Sequence, residues 1–399
     1  MRTRAVIYLD RYKENMSSIR NRIGNNRHIC VSIKADAYGH GALKIAKASM
    51  EAGAYCFGIA AVTEGIELRK SGIEAPILLF SQAYIDEIPA IVKAGLTPFI
   101  SDIEYASALN KQAAAEKTKI QVHLKIDTGM GRSGCSPEEA LPLARHIASC
   151  SRLKLTGTAT HLAVSDSANS RDAAYTKIQL TKFKRAVEKI KNEGIDPGIV
   201  HAANSGAIIL HPDSWFDMVR PGILLYGYKA AEEYELPVKH MKKLSKHKGL
   251  YVKPVMELKT GVVLIKKIKK GETISYGRTW TAPQNTFIAT LPVGYADGLP
   301  RLASNRWQIV IKNKVYPLIG RICMDQCCID LGPKPDVQRW DEAIIFGSDY
   351  IPEQPENTGE SEPEIIRHSA AALASAVGTI PYEITCGINK RVPRVYTGA

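Results

Sequence analysis

The sequence predicts an α/β protein: a (β/α)8 barrel of the TIM type followed by a mostly β C-terminal domain. Eight short apolar runs alternate with helical patterns over about 220 residues, as expected for a closed parallel barrel. From Val252 onward the apolar residues recur at every second position, in short runs separated by Gly and Pro, as in 307–311. An open doubly wound sheet is the alternative, but eight strands exceed what it usually needs and no G-x-G-x-x-G follows the first strand.

The elements are predicted in chain order from this periodicity. The strands of the barrel are expected at 29–33, 56–60, 77–80, 97–100, 120–126, 153–159, 198–203 and 217–219. Helices are expected at 42–53, 63–71, 84–94, 102–115, 137–149, 170–193, 205–210 and 364–377. An N-terminal strand within 1–10 is expected to pair with the β domain. The predicted domains are therefore a barrel over 11–235 and a β domain over 236–399.

Composition is typical of a globular protein. Of the 399 residues, 45% are hydrophobic and 23% are charged. No apolar run is long enough to span a bilayer and no secretory segment precedes the first strand, so we expect no membrane association and a cytoplasmic location. Residues 229–249 are predicted to form a polar linker, and 353–364, rich in Glu, an acidic loop that cannot support a core.

The net charge of +13 requires a nucleic-acid-binding interpretation to be weighed. Much of the charge lies in two lysine-rich stretches, 239–248 and 266–270. These stretches have no interleaved aromatic residues and match no recognition motif, so a solvated basic face is favoured and no nucleic-acid partner is expected. Such a face still helps to attract anionic ligands.

The eight cysteines do not indicate a metal site. Cys30 and Cys56 fall within apolar runs and are expected in the core. Cys323, Cys327 and Cys328 are close in sequence, but they lack C-x-x-C spacing and no paired histidines follow. We therefore expect no bound metal.

Polar residues follow the predicted strands at the end where a barrel of this type builds its active site. They are Lys34 and Tyr38 after the first strand, Lys125 and Asp127 at the fifth, His161 after the sixth, 204–206 after the seventh and 220–223 after the eighth. A half-desolvated amine at Lys34 has a lowered pKa and can attack an aldehyde. The alternative is a lysine that ends a strand and points to water. The last two loops of such barrels often hold a phosphate.

Five motifs then follow one another along the chain: KADAYGHG at 34–41, KIDTGMGR at 125–132, SYG at 275–277, GYADG at 294–298 and GRICMD at 320–325. By these motifs the chain resembles the alanine racemases, a family of pyridoxal-phosphate enzymes with a barrel. The resemblance covers nearly the whole chain. It implies an isomerase that interconverts L-alanine and D-alanine and supplies D-alanine for cell-wall peptidoglycan.

The resemblance also implies a role for each matching residue. Lys34 forms the Schiff base with the aldehyde of pyridoxal 5'-phosphate. The cofactor phosphate is held by Tyr38, Ser205, Gly222, Ile223 and Tyr382, with Asn204 beside them. Arg220 faces the pyridine nitrogen, braced by His201, and His161 stacks on the ring. Arg132 approaches the phenolic oxygen and the substrate carboxylate, and the backbone amide of Met324 contacts the same carboxylate.

Two of these assignments have chemical consequences. A guanidinium is always charged and cannot accept a proton, so Arg220 should leave the pyridine nitrogen neutral and suppress transamination. Racemisation needs a base on each face of the α-carbon, and the resemblance assigns these roles to Lys34 and Tyr276. A tyrosine is a poor base at neutral pH, so cationic neighbours should favour its phenolate. The candidate neighbours are Arg301, His161 and Arg220.

In the family, the tyrosine comes from the partner subunit, so the resemblance implies a head-to-tail homodimer with shared active sites. Lys125 matches a position that is carbamylated in some members; an ordinary surface pair with Asp127 is the alternative. Tyr295, Tyr382 and Arg321 would restrict the entrance to small substrates. The competing functions are a serine or broad-specificity racemase, a basic amino-acid decarboxylase, and a non-catalytic carrier of the cofactor. The second domain, with Tyr276 and Met324, argues against the carrier.

Overall fold

The computed structural model describes residues 3–229, 250–347 and 367–398. Contacts within the chain divide them into two compact units. The barrel unit comprises 13–225 and 250–252, and the β unit comprises 3–12, 226–229, 253–347 and 367–398. Apart from Lys229, the predicted linker lies outside the described residues, as do the acidic loop and the predicted boundary at residue 235.

The barrel unit contains one eight-stranded parallel sheet that is nearly closed, which confirms the predicted fold class. Its strands are His28–Ser32, Cys56–Ile59, Ile77–Leu79, Thr97–Ile100, Ile120–Lys125, Leu153–Ala159, Ile199–His201 and Met218–Val219. Neighbours in the sheet follow chain order, and the last strand pairs with the first. The sheet remains open between the strands Ile199–His201 and Met218–Val219. Single hydrogen bonds cross this gap, such as that from the Asp217 N–H to the Val200 carbonyl at 3.1 Å.

Helices follow most of these strands. They are Ala42–Glu51, Val62–Lys70, Ile88–Lys93, Ile103–Ala115, Ala140–Ser149, Ser170–Asn192 and Ser205–Leu210. A helix that the sequence analysis did not predict, Leu9–Ile23, buries Tyr12, Met16, Ile19 and Ile23 at helical spacing. Within the described residues, no helix has the length and apolar character needed to cross a membrane.

The β unit is built on a nine-stranded sheet, in agreement with the predicted β domain. In sheet order the strands are Leu264–Ile268, Thr286–Leu291, Cys327–Gly332, Lys314–Ile319, Gln308–Ile311, Glu342–Phe346, Met256–Gly261, Arg4–Tyr8 and Arg394–Thr397. The N-terminal strand Arg4–Tyr8 therefore lies inside this sheet. Lys266 and Lys267 are exposed on the edge strand, where charge discourages pairing with another chain.

Two helices lie near the C-terminus, Ala370–Val377 and Pro381–Cys386. The first begins later than the predicted 364, because Ser369 caps it: its side chain accepts a hydrogen bond from the Ala372 N–H at 3.3 Å. Residues 364–366 lie outside the described residues.

Candidate active site

Lys34 stands directly after the first barrel strand, at the start of a left-handed turn. The next four residues, 35–38, all have φ between 52 and 55°. Residues other than Gly seldom adopt this region, because the left-handed conformation costs roughly 1–2 kcal/mol for each of them. Lys34 is half-buried, and Tyr38 is buried at the end of the turn. Such a conformation persists only where surrounding contacts hold it.

The carboxylate of Glu64 supplies one such set of contacts. Its Oε1 accepts the Ala35 N–H at 2.6 Å, and its Oε2 accepts the N–H groups of Ala60 and Ala61 at 2.8 and 3.1 Å. Glu64 therefore ties the turn after the first strand to the loop after the second. Asp36 closes the other end, since its Oδ1 accepts the Ala42 N–H at 2.7 Å.

Arg220, after the eighth strand, is buried and fixed by neutral acceptors. Its Nη1 donates to His201 Nδ1 at 2.6 Å, and its Nη2 donates to the carbonyls of Thr160 and Ala202 at 2.7 and 3.0 Å. His161 Nδ1 lies 3.5 Å from the same Nη2. Burial lowers the pKa of Arg220 to about 10, so the guanidinium is still charged at neutral pH.

A hydrogen-bonded chain continues from Arg220 through His201 to His123. The nitrogens His201 Nε2 and His123 Nδ1 are 2.9 Å apart. Because a guanidinium only donates, His201 Nδ1 must accept, so His201 carries its proton on Nε2 and donates to His123. Burial and the charge of Arg220 lower the pKa of both histidines, to about 3 for His123. Both rings are therefore neutral near pH 7.

Lys125 is a second buried basic side chain in the barrel. Its side chain is 6% exposed and lies 5.5 Å above the centre of the Phe99 ring. Burial, reinforced by Arg220 and Arg132, lowers the pKa of Lys125 well below its ordinary value, with Asp127 acting weakly in the other direction. This environment favours the neutral amine, and it differs from the exposed setting of a surface ion pair.

The carboxylate of Asp127 is engaged by its own loop. It accepts hydrogen bonds from the N–H groups of Gly129, Met130, Gly131 and Arg132, at 2.8 to 3.2 Å. Partial burial alone would raise the pKa of Asp127, but these amides outweigh it and lower the pKa. Asp127 therefore shapes the turn that presents the exposed Arg132.

The ends of the first, seventh and eighth strands form a cradle of small polar groups. Ser205 Oγ accepts the Gly222 N–H at 2.9 Å and the Leu224 N–H at 3.3 Å. A Cβ added to Gly222 would lie 2.6 Å from the Tyr38 hydroxyl and 3.8 Å from Ser205 Oγ. Hydroxyls and backbone amides are the donors that bind phosphate, and glycine keeps the approach open. A phosphate-bearing cofactor therefore fits the groups present here.

Asn204 and Ile223 support this cradle. Asn204 caps the short helix Ser205–Leu210, since its Oδ1 accepts the Ala207 N–H at 3.0 Å and the Ser165 hydroxyl at 2.7 Å. The Ile223 side chain is fully buried. Asn204 is thus committed to loop structure, while its neighbour Ser205 presents the hydroxyl.

His161 follows the sixth strand. Its backbone carbonyl is hydrogen-bonded, and its ring lies near Arg220. Its carbonyl accepts a hydrogen bond from Gln179 Nε2 at 3.1 Å. Burial, followed by the charges of Lys125 and Arg220, lowers the pKa of His161 well below its ordinary value. The suggestion that His161 is a cationic neighbour of Tyr276 is therefore not supported, because the ring is neutral near pH 7.

In the β unit, Tyr276 lies on a tight exposed turn and is itself 71% exposed. A Cβ on the following Gly277, whose φ is 70°, would lie 2.9 Å from the Arg321 guanidinium carbon. Ser275, on the other side of Tyr276, donates to the Arg321 carbonyl at 2.6 Å. Arg321 therefore packs beside this turn, while the predicted support of Tyr276 by Arg301 stays a prediction.

The other predicted residues of the β unit lie on neighbouring segments. The N–H groups of Tyr295 and Ala296 donate to the carbonyls of Cys323 and Met324, at 3.1 and 3.0 Å. Arg301 is exposed at the start of a short turn, and Tyr382 is half-buried in the helix Pro381–Cys386. Within the described residues, no hydrogen bond from the Met324 N–H is found.

The structure thus brings the predicted barrel residues to one end of the sheet, and it adds two that the sequence analysis missed: Glu64 and His123. Histidine within the apolar run 120–126 was the available signal for His123. Within the described residues, no group of His, Cys, Asp and Glu side chains is arranged to hold a metal ion.

Comparison with known proteins identifies the family. The profile described as "Alanine racemase, N-terminal domain" matches residues 7–230, and the profile described as "Alanine racemase, C-terminal domain" matches residues 255–396. The chain belongs to the alanine racemase family. An alanine racemase of Treponema denticola is 48% identical over 394 residues, covering 99% of this chain and 98% of that protein.

Other members of the family are similar over the same extent. An alanine racemase of Treponema pallidum subsp. pallidum is 40% identical over 395 residues, covering 98% of each chain. The solved structure of alanine racemase from Clostridium difficile 630 is 34% identical with a TM-score of 0.87, covering 100% of this chain and 96% of that one. Family membership over the full length therefore covers both units.

Proposed function

We propose that this chain interconverts L-alanine and D-alanine with pyridoxal 5'-phosphate, using Lys34 and Tyr276 as its two bases. The proposal depends chiefly on one feature of the barrel. A single left-handed turn carries an amine, Lys34, and a hydroxyl, Tyr38, and a Cβ on Gly222 would lie 2.6 Å from that hydroxyl and 3.8 Å from Ser205 Oγ. An amine for an aldehyde and a cradle for a phosphate thus lie at the two ends of one turn.

Several residues would hold the cofactor. Tyr38, Ser205 and the amide of Ile223 would bind the phosphate, with Tyr382 as a further hydroxyl donor, while Asn204 fixes the loop. Gly222, whose N–H donates to Ser205 Oγ, would line the same cradle. Lys34 would hold the cofactor covalently, His161 would lie against its ring, and Arg132 would approach its phenolic oxygen. When bound, the cofactor withdraws electrons from the α-carbon of an attached amino acid and so makes the α-proton acidic.

The two bases would act from opposite faces of the α-carbon. Lys34 would remove or return a proton at Nζ on one face, and Tyr276 would do so at its hydroxyl on the other. Arg321, packed on the turn of Tyr276, would place a positive charge beside that turn. We further propose that Tyr276 and Met324 reach the site from a second copy of the chain, in a head-to-tail homodimer.

Arg220 would donate to the pyridine nitrogen and leave it unprotonated. Its position supports this role, because its observed partners are neutral acceptors that keep the guanidinium fixed. A neutral ring nitrogen withdraws fewer electrons, which would limit protonation at the wrong carbon and thus transamination. His201 would brace Arg220, and His123 extends that brace.

Lys125 is proposed to be carbamylated. A desolvated neutral amine is the form that reacts with carbon dioxide, and the lowered pKa of Lys125 favours that form. The resulting carbamate would place an anion among Arg220 and Arg132 and would orient Arg132 toward the substrate carboxylate. The surface-pair alternative is disfavoured by the burial of Lys125 and by the amides that occupy Asp127.

The substrate is proposed to be alanine, and the product D-alanine to serve peptidoglycan synthesis. The amide of Met324 would bind the substrate carboxylate, which agrees with the absence of a described partner for that N–H. Tyr295, Tyr382 and Arg321 would narrow the entrance, and Arg301 would add positive charge near it.

Exchange of the α-proton with solvent tests the proposal. The protein loaded with pyridoxal phosphate is incubated in D₂O with each enantiomer of alanine, and deuterium incorporation and chirality are followed together. We expect exchange and racemisation from both enantiomers, and loss of the cofactor's lysine-bound visible absorption band in Lys34→Ala. Cofactor binding without exchange would contradict the racemase and favour a carrier.

A further inference from the structure

Two backbone segments of the β unit, 294–298 and 323–325, are joined edge to edge. The Tyr295 N–H donates to the Cys323 carbonyl at 3.1 Å, and the Ala296 N–H donates to the Met324 carbonyl at 3.0 Å. A Cβ on Gly294 would lie 2.3 and 2.4 Å from these same two carbonyl oxygens. Only glycine permits this approach, so the positions of Tyr295 and Met324 are coupled.

Arg391 joins the same two segments from outside. Its Nε donates to Asp297 Oδ1 at 2.8 Å, and its Nη2 donates to Asp325 Oδ1 at 2.8 Å. Asp297 lies two residues after Tyr295, and Asp325 directly follows Met324. The other oxygen of Asp297 accepts the Gly294 N–H at 2.9 Å, so the carboxylate also fixes the start of the turn.

The backbone that carries Arg391 is itself fixed. The Arg391 N–H donates to Asn389 Oδ1 at 3.0 Å, and the Asn389 N–H donates to the Asp297 carbonyl at 3.2 Å. Arg394 donates to the carbonyls of Ile388, Asn389 and Val392, at 2.6 to 2.8 Å. The backbone that carries the Arg391 guanidinium is therefore held in place.

We infer that Arg391 is a positioning residue for recognition of the substrate carboxylate. It touches neither substrate nor cofactor, and it acts by holding Asp325 and Asp297 so that the Met324 N–H and the Tyr295 turn keep one fixed arrangement. The inference rests on the proposed function, in which the Met324 N–H meets that carboxylate. The planar guanidinium is required because it presents two donors in a fixed fork, whereas an ammonium is a single point of charge.

The test compares Arg391→Lys with the wild-type holoenzyme in steady-state kinetics. We expect KM for both alanine enantiomers to rise by about fivefold to tenfold, because one arm of the fork is lost, while kcat changes by less than about twofold. Arg145→Lys is the matched control, because it makes the same change in an Arg–carboxylate pair with Glu193, at 2.6 Å, outside the β unit. The control should leave both constants unchanged.

Two competitive inhibitors distinguish a loss of carboxylate recognition from a general distortion of the active site. Propionate carries the carboxylate without the amine, and ethylamine carries the amine without the carboxylate. In Arg391→Lys, the inhibition constant of propionate should rise by the same factor as KM, and that of ethylamine should be unchanged. Equal weakening of both inhibitors, or no change in propionate binding, overturns the inference.

Asp325→Asn provides a second variant that removes only one partner of Arg391. It should shift KM and propionate binding in the same direction by a smaller factor, and the double variant Arg391→Lys/Asp325→Asn should be no worse than Arg391→Lys. Additive losses contradict the shared contact. A wild-type enzyme that exchanges no α-proton overturns the proposed function as well, whereas an active wild type with an unaffected Arg391→Lys overturns the inference alone.

Discussion

At the scale of single residues, the barrel site is organised by two buried nitrogen groups, Lys125 and Arg220. Burial lowers the pKa of both, and the observed partners of Arg220 are imidazoles and carbonyls rather than carboxylates. A buried cation without an anionic partner is costly, so an electron-rich or anionic ligand placed there is strongly stabilised. This pattern suits the pyridine nitrogen and carboxylate of the proposed reactants.

Replacing Arg220 should change the reaction outcome as well as its rate. We expect Arg220→Glu to slow racemisation by about 100-fold, the usual effect of removing a preorganised charge. The carboxyl group can protonate the ring nitrogen, so pyruvate from transamination should increase. Chirality-resolved product analysis and a pyruvate assay measure the two effects. Arg220→Lys keeps the positive charge and should form no extra pyruvate; an equal increase in both variants would contradict the account.

The histidine chain predicts a pH dependence of stability. The pKa of His123 falls from an ordinary 6.5 to about 3 in the folded protein, so the unfolded chain binds more protons between these values. Stability from this group is therefore present above pH 6.5 and lost as the pH falls. Each pH unit in that window is worth roughly 1.4 kcal/mol, so lowering the pH from 7 to 5 should cost about 2 kcal/mol.

His123→Asn isolates that contribution. Asparagine keeps an acceptor near the position of Nδ1 but does not titrate, so the loss of unfolding free energy between pH 7 and pH 5 should shrink by about 2 kcal/mol. Urea denaturation of both proteins at the two pH values measures this difference. Identical pH dependence in the two proteins would show that His123 does not titrate as proposed.

At the scale of elements, the left-handed turn 35–38 is the feature that local sequence preference disfavours most. Ala and Tyr seldom adopt positive φ, and Asp does so as a single residue rather than in a run, so a helix or an ordinary loop is what the sequence alone indicates. The turn is stabilised from outside by Glu64, and the side chain of Asp36, within the turn, ties it to Ala42. Its conformation is therefore tertiary in origin.

Glu64→Gln should weaken that turn. An amide has one acceptor oxygen instead of two, so it cannot serve the N–H of Ala35 together with those of Ala60 and Ala61. We expect a loss of about 1–3 kcal/mol in unfolding free energy and weaker cofactor binding. Glu67→Gln, three residues along the same helix and exposed, is the matched control and should change neither. Equal effects in both variants would exclude a specific role for Glu64.

At the scale of the whole molecule, the sequence predicted the architecture because strand and helix periodicities depend on local pattern. The eight barrel strands lie close to their predicted positions, and the β domain is present. What could not be predicted depends on contacts between distant residues. His123 and His201 are 78 residues apart in sequence, and Arg391 and Asp297 are 94 apart. Local sequence patterns carry no information about which distant residues form such pairs.

Family motifs extended the prediction to single residues, but not to their charge states. His161 was expected among the cations, and burial makes it neutral. Arg301 stays a predicted neighbour of Tyr276, but nothing in the sequence indicated that the Arg321 guanidinium packs on the same turn. In both cases the residue type was visible in the sequence, whereas its solvent exposure and neighbours were not.

The central claim is that each active site combines Lys34 of one chain with Tyr276 of another. Subunit mixing tests this claim most directly. Lys34→Ala and Tyr276→Phe are each expected to be nearly inactive, but a mixed dimer would contain one site with both bases intact. If an equal mixture exchanges subunits freely, about half the dimers are mixed, so activity should recover to about a quarter of the wild-type level. Mixed dimers that form and remain as inactive as the parent variants would contradict the claim.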